Sequence, residues 1–186
     1  MSTTVHRPAF HHVNLKTARL QPLIDWYRTV VGAEVTYQFE QGAWLTNDAA
    51  NHRIAILAFE GFNDDPERDM RTGMHHTAFE YEDFGQLNDS YLRLRDEGIE
   101  PALCLDHGVT FSYYYVDPDG NHVELQVDCF GDWKASKEWM ATSPDFHGDP
   151  LGSRVDPAKV AEDWARGNSF DEIHATARSG GYTPDA

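Results

Sequence analysis

The chain of 186 residues is long enough for one sizeable hydrophobic core, and 40% of its residues are hydrophobic, an ordinary share for a globular protein. Its net charge of −16 argues against nucleic acid and anionic membranes as partners, because both are negatively charged and would repel it. We find no leader-like N-terminus, no apolar run long enough to span a bilayer, and only two cysteines, Cys104 and Cys129. We therefore expect a cytoplasmic protein whose cysteines pack rather than pair.

The first half of the chain predicts the order β-α-β-β-β. Residues 10–16 alternate in polarity and predict a strand. Apolar residues then recur at helical spacing from Leu20 to Val31, and Gly32 suits the end of that helix. Three more strands are predicted, at 35–39, 43–46 and 54–59. The polar stretch 61–72 has the composition of a linker.

The second half repeats this order. A strand is predicted at 74–81, a helix follows and ends at Gly98, and three more strands are predicted, at 101–105, 110–116 and 122–127. The openings FHHVNL and MHHTAF bring His12 and His76 into register. Two similar units indicate a duplicated module. Because each has too few elements to bury its sheet alone, we predict one α+β domain over residues 8–130, with modules at about 8–60 and 73–130.

Residues 131–186 break the repeat and predict a C-terminal helical extension. Helices are predicted at 133–140, 157–166 and 169–178. Asp156 and Pro157 form a favourable start for the second of these helices. We expect this extension to pack on the domain or on another subunit.

The stretch HGVTFSYYYVDPDGNHVE, residues 107–124, predicts a β-hairpin. Its first arm is rich in strand-forming tyrosines, and the DPDG sequence at 117–120 has strong turn chemistry. The hairpin would hold Tyr114 on one arm and Glu124 on the other.

Three residues suggest a metal site. By strand parity, His12, His76 and Glu124 each lie on the less apolar face of their strand. A lone histidine of this kind is more often a hydrogen-bonded sheet residue. Two histidines at matching positions of two repeats, together with a glutamate, favour a metal site instead. Two imidazoles and one carboxylate form a facial triad that leaves positions on iron(II) open for substrate and O₂.

With these residues the chain resembles the vicinal oxygen chelate superfamily and, within it, the type I extradiol catechol dioxygenases. The resemblance covers about residues 8–130 and rests on His107, Tyr114, the DPDG turn and Glu124. It implies a glyoxalase/dioxygenase-type domain that binds Fe(II), with Mn(II) as the alternative, through His12, His76 and Glu124. It also implies a homo-oligomeric enzyme of aromatic hydrocarbon catabolism, which inserts O₂ into a catechol such as 2,3-dihydroxybiphenyl.

The resemblance also implies catalytic roles. Tyr114 would hydrogen-bond the deprotonated catechol oxygen, and His107 would act in acid–base chemistry and O₂ stabilisation. The family usually has a further histidine at the start of the fourth strand. The simplest register gives Asn51 that position with His52 next to it, so both stay candidates.

A comparison of the two modules bears on the number of protein ligands. Aligning residues 51–54 (NHRI) with 121–124 (NHVE) gives Ile54 the position of Glu124. We therefore expect three protein ligands rather than four, which favours oxygen chemistry over isomerisation.

Two other functions remain open. The first is a glyoxalase, epimerase or thiol-transferase relative that uses another divalent metal. The second is a non-catalytic module of the same fold that only binds a ligand. Activity without O₂ consumption would favour the first, and stoichiometric binding of an aromatic compound without turnover would favour the second.

Overall fold

A computed structural model of the protein describes residues 5–185. The chain divides into two compact units, Met1–Thr72 and Gly73–Ala186. The boundary follows the polar stretch that the sequence predicted as a linker, which contains only a short 3₁₀ helix, Arg68–Met70.

The first unit has the predicted β-α-β-β-β order. Its elements are β1 (Val13–Lys16), α1 (Leu20–Val30), β2 (Glu34–Phe39), β3 (Gly42–Thr46) and β4 (Ile54–Leu57). The sheet order is β1-β4-β3-β2, with β1 parallel to β4 and the other pairs antiparallel. The first strand begins at Val13, three residues later than predicted, so His12 immediately precedes it.

Helix α1 forms because its apolar residues recur on one face. Leu23, Ile24, Tyr27 and Val30 are all fully buried. The helix ends just before Gly32, whose φ of 71° is costly for residues with a side chain.

The second unit begins with the same order. Its elements are β5 (His76–Glu80), α2 (Phe84–Asp96), β6 (Leu103–Asp106), β7 (Thr110–Val116) and β8 (His122–Asp128). Strand β5 runs parallel to β8, and β8, β7 and β6 are successively antiparallel. Asp83 caps α2 by accepting a hydrogen bond from the backbone of Gln86.

The segment after β8 contains α3 (Trp133–Thr142), α4 (Pro144–Gly148), β9 (Ser153–Arg154), α5 (Pro157–Ala165) and α6 (Phe170–Arg178). The three predicted helices are confirmed, whereas α4 and β9 were not predicted. Strand β9 pairs with β6 and extends the second sheet to the order β5-β8-β7-β6-β9. Several residues of the segment are buried: Val155, Val160, Ile173, Ala177 and Tyr182. No helix in the described part of the chain has both the length and the apolar character needed to cross a bilayer.

Candidate active site

The predicted hairpin is present and sets the geometry of the site in the second unit. Strands β7 and β8 pair so that Tyr114 lies opposite Glu124. The turn is fixed by Asp117, whose carboxylate accepts hydrogen bonds from the backbone of Asp119 at 2.9 Å and of Asn121 at 2.8 Å. Gly120 supplies the positive φ of 79° that the turn requires.

Four predicted site residues form a continuous chain of contacts in this unit. The Tyr114 hydroxyl donates to Glu124 Oε1 at 2.9 Å, and Nε2 of His107 lies 2.9 Å from the same hydroxyl. On the other side, Glu124 Oε2 lies 3.0 Å from Nε2 of His76. The second unit therefore brings together His107, Tyr114, Glu124 and His76 in that order.

Sheet register explains why His76 reaches Glu124. In the parallel pairing of β5 and β8, His76 lies opposite His122 and Ala78 opposite Glu124. His76 is thus two residues from the direct partner of Glu124 and projects from the same face of the sheet. The adjacent His75 lies 2.8 Å from His76 between their Nδ1 atoms, which leaves Nε2 of His76 to face the carboxylate.

Burial determines the protonation of Tyr114. Glu124 is only 4% exposed and Tyr114 only 5%, so their polar atoms depend on each other. Loss of water, then the negative charge of Glu124 and the hydrogen bond to it, raise the pKa of Tyr114 well above its usual value. The phenol therefore keeps its proton and donates a hydrogen bond to Glu124. The Tyr114 oxygen then accepts from His107, so Nε2 of His107 carries a hydrogen.

The first unit gathers three histidines. One ring nitrogen from each of His11, His12 and His52 lies within 4.8 Å of the others, and the rings of His12 and His52 are 4.5 Å apart between centroids. Arg53 holds this arrangement by bonding the backbone oxygen of His11 at 3.0 Å and pairing with Asp48. His12 therefore lies in the first unit, and His76 and Glu124 lie in the second.

The same loop contains both residues proposed for the strand-four position. His52 is half-buried beside His12, whereas Asn51 is exposed. Burial, followed by the charges of His12 and His11, lowers the pKa of His52 and favours its neutral form. Of the two, His52 is the one whose ring contacts that of His12.

The expected equivalence of Ile54 and Glu124 is wrong by one residue. Val13 pairs with Ile54 in the first sheet, and Thr77 pairs with Val123 in the second. Once His12 and His76 are matched, the counterpart of Glu124 is Ala55. A methyl group cannot bind a metal, so the conclusion that the first module offers no fourth ligand is unchanged.

The donor atoms of the second unit fit a metal ion. The buried Glu124 carboxylate and the His76 imidazole direct an oxygen and a nitrogen to within 3.0 Å of each other. Imidazole with carboxylate is the donor set that divalent iron and manganese accept.

A second cluster was not predicted from the sequence. One donor atom from each of Asp106, Cys129 and His174 lies within 4.8 Å of the others. Asp106 is fully buried, and its Oδ2 lies 2.8 Å from Nδ1 of His174. The only signal in the sequence was a charged residue at the end of a strand.

Comparison with known proteins gives consistent matches. Residues 9–125 match the model of the Glyoxalase/Bleomycin resistance protein/Dioxygenase superfamily. Biphenyl-2,3-diol 1,2-dioxygenase 2 of Rhodococcus globerulus is 39% identical over 178 residues, which is 96% of this chain and 93% of that protein. Biphenyl-2,3-diol 1,2-dioxygenase 3 of the same organism is 40% identical over 91% of this chain and 89% of its own length. Among solved structures, a glyoxylase/bleomycin resistance protein/dioxygenase domain from Frankia sp. EAN1pec has a TM-score of 0.55 at 17% identity, covering 66% of this chain and 93% of that one.

Proposed function

The chain belongs to the Glyoxalase/Bleomycin resistance protein/Dioxygenase superfamily, and we propose that it is an extradiol ring-cleavage dioxygenase. Its substrate would be a catecholic aromatic diol similar to 2,3-dihydroxybiphenyl, and O₂ would be the second substrate. The observation that carries this proposal is the chain of contacts from His107 through Tyr114 and Glu124 to His76. Identity of about 40% to two biphenyl-diol dioxygenases, over nearly the whole chain, supports it.

We assign the metal to His12, His76 and Glu124 and propose Fe(II), with Mn(II) as the alternative. The metal would lower the pKa of the bound diol and hold diol and O₂ within reach of each other. Glu124 supplies the negative charge that a divalent ion needs, because its carboxylate is buried and already faces His76. His12 supplies the second imidazole, from the loop entering the first strand.

Tyr114 and His107 handle protons in this proposal. Tyr114 stays protonated at neutral pH, since burial and Glu124 raise the pKa of its phenol. In the protein without substrate this hydroxyl donates to Glu124, and with the diol bound it would instead donate to a catechol oxygen that has lost its proton. His107, with Nε2 against that hydroxyl, is the candidate proton donor, and His52, whose neutral form is favoured, is a candidate proton acceptor. The net charge of −16 disfavours nucleic acid and anionic membranes as partners. The proposed partners are the aromatic diol and O₂, in a cytoplasmic homo-oligomer.

The direct test is to load the protein with Fe(II) without air and then add a catechol or 2,3-dihydroxybiphenyl in aerated buffer. We expect one O₂ to be consumed for each diol, with a new visible absorbance from the ring-opened product. Parallel samples loaded with Mn(II) and Zn(II) would identify the metal. If iron binds but no catechol in a broad panel consumes O₂, the proposed function is wrong. Turnover without O₂ would then point to an isomerase-type relative.

A further inference from the structure

His107 lies in a short turn, residues 106–110, whose backbone is tightly held. Asp106 Oδ1 accepts a hydrogen bond from the backbone of Gly108 at 2.7 Å. The backbone of His107 donates to the oxygen of Thr110 at 2.9 Å, and the backbone of Cys129 donates to the oxygen of Val109 at 2.9 Å. The direction of the His107 side chain therefore depends on Asp106, the residue that closes the turn.

Asp106 in turn depends on the last helix. Its side chain is fully buried, and its second oxygen, Oδ2, lies 2.8 Å from Nδ1 of His174 in α6. The helix itself is well fixed, because Ser169 and Glu172 form a capping box at its start. A buried carboxylate without such a partner would be costly, so His174 is the contact that keeps Asp106 in place.

Other parts of the chain after β8 also pack against this turn. A side chain added at Gly108 would lie 2.6 Å from the Trp139 ring of α3. A side chain added at Gly152 would lie 2.0 Å from the backbone oxygen of Asp106. Strand β9 follows directly, with Ser153 paired to Asp106. The five residues of the His107 turn are thus packed against α3, against β9 and the residue before it, and against α6.

We propose that the C-terminal segment, residues 131–186, positions the acid–base histidine, and that Asp106 and His174 are positioning residues acting through the His107 turn. This inference rests on the proposed function for the role of His107. It makes the segment part of the active site's support rather than a separate appendage.

The competing interpretation is a second metal site at Asp106, Cys129 and His174. Two observations favour the hydrogen-bonded pair over a bound cation. Both oxygens of Asp106 already have donors, and the Arg178 guanidinium lies 3.5 Å from its backbone oxygen, so a positive charge is already present. In addition, burial raises the pKa of the Cys129 thiol, which keeps it protonated at neutral pH.

The test compares two amides at position 174. In His174→Asn the amide nitrogen can take the place of Nδ1, whereas in His174→Gln it falls near Nε2, beyond the reach of Asp106. We expect His174→Gln to lower kcat for the diol at least about tenfold, with KM and bound iron unchanged, and His174→Asn to recover most of that loss. His147→Ala is the matched control, because His147 is an exposed histidine of the same segment whose ring bonds the backbone oxygen of Met140, outside the His107 turn.

A second measurement does not depend on activity. In metal-free protein, the ¹⁵N signals of the histidine rings report which nitrogen of His107 carries the proton. We expect one fixed Nε2-protonated form in the wild type, in His147→Ala and in His174→Asn, and a mixture of forms in His174→Gln. Equal kcat and equal His107 spectra in the two amide variants would overturn the inference. So would a second bound metal equivalent that is lost in both His174→Gln and Cys129→Ser. If the wild type consumes no O₂, the proposed function fails, while the spectra still test the coupling between His174 and His107.

Discussion

The two units share the order β-α-β-β-β and a histidine at the same sheet register, yet they differ in chemistry. In the second unit the middle strands pair Tyr114 with Glu124. In the first unit the corresponding pair is Trp44 with Ala55. The first unit therefore has an aromatic ring and a methyl group where the second has a proton donor and a buried carboxylate.

The features that the two units share serve the fold, whereas the features found in one unit serve the proposed chemistry. Both sheets are held by buried apolar residues on one face, and in both units a pair of adjacent histidines, joined through their Nδ1 atoms, lies at the start of the first strand. The Tyr114–Glu124 pair, by contrast, is found in the second unit and has no counterpart in the first. We infer that one metal ion per chain is the expected stoichiometry, since a second copy of the site would lack its carboxylate.

The largest effect is expected from Glu124→Ala. This change removes the only carboxylate of the proposed triad and leaves His76 and Tyr114 without their shared partner. We expect loss of stoichiometric iron and of all measurable O₂ uptake. Glu80→Gln, which changes an exposed carboxylate on the adjacent strand β5, should behave as wild type. Full iron occupancy in Glu124→Ala would remove Glu124 from the ligand set.

The second largest effect is expected from the two histidine pairs, His11–His12 and His75–His76. We expect His12→Ala and His76→Ala to abolish bound iron, because each removes one of the two proposed imidazole ligands. His11→Ala and His75→Ala should retain iron when it is supplied in excess, since these side chains only orient their neighbours. Measuring the iron content of each variant after gel filtration shows which histidine of each pair binds the metal. If the neighbouring histidine of a pair proved to be the one required for iron, that histidine would replace the proposed ligand.

Tyr114→Phe should leave iron in place but lower kcat by about 10²-fold, because a positioned proton donor typically contributes 10²–10⁴-fold. Tyr113→Phe is the matched control on the same strand. The Tyr113 hydroxyl is buried on the opposite face and has no hydrogen-bond partner among the described residues, so its loss should not change kcat. Equal activity of the two variants would exclude Tyr114 from the site.

The smallest effect on activity is expected in the core that both units share. Ile56 of β4 and Leu125 of β8 occupy equivalent positions, and both are fully buried. Ile56→Ala and Leu125→Ala should each lower the free energy of unfolding by about 2–5 kcal/mol. Urea denaturation followed by circular dichroism measures this loss. Under native conditions both variants should still bind one iron, which would not hold if either side chain acted in the site.

Much of this arrangement follows from local sequence patterns. The DPDG turn fixes the hairpin, so the pairing of Tyr114 with Glu124 can be read directly from the residues. The register of β4 could not be read in the same way. Its residues, IAIL, form a continuous apolar run without alternation, so a shift by one residue leaves the pattern unchanged. That is why Ile54 rather than Ala55 was matched to Glu124.

Contacts between residues far apart in the sequence could not be predicted either. Asp106 and His174 are 68 residues apart, and neither belongs to a motif that predicts the other. Helix α4 and strand β9 have five and two residues, too few for a period to be recognised. Long, periodic elements and tight turns were predictable, whereas the support of His107 depends on tertiary packing.

The turn between β7 and β8 also limits where the length of the chain can change. Because side chains alternate along a strand, a change in the length of this turn that shifts the pairing of β7 and β8 by one residue would turn Glu124 away from Tyr114. His76 would lose its partner at the same time. The linker at 61–72 carries no such constraint, since it pairs with no strand. Length variation among homologues should therefore accumulate in that linker, while the spacing of ten residues from tyrosine to glutamate stays constant.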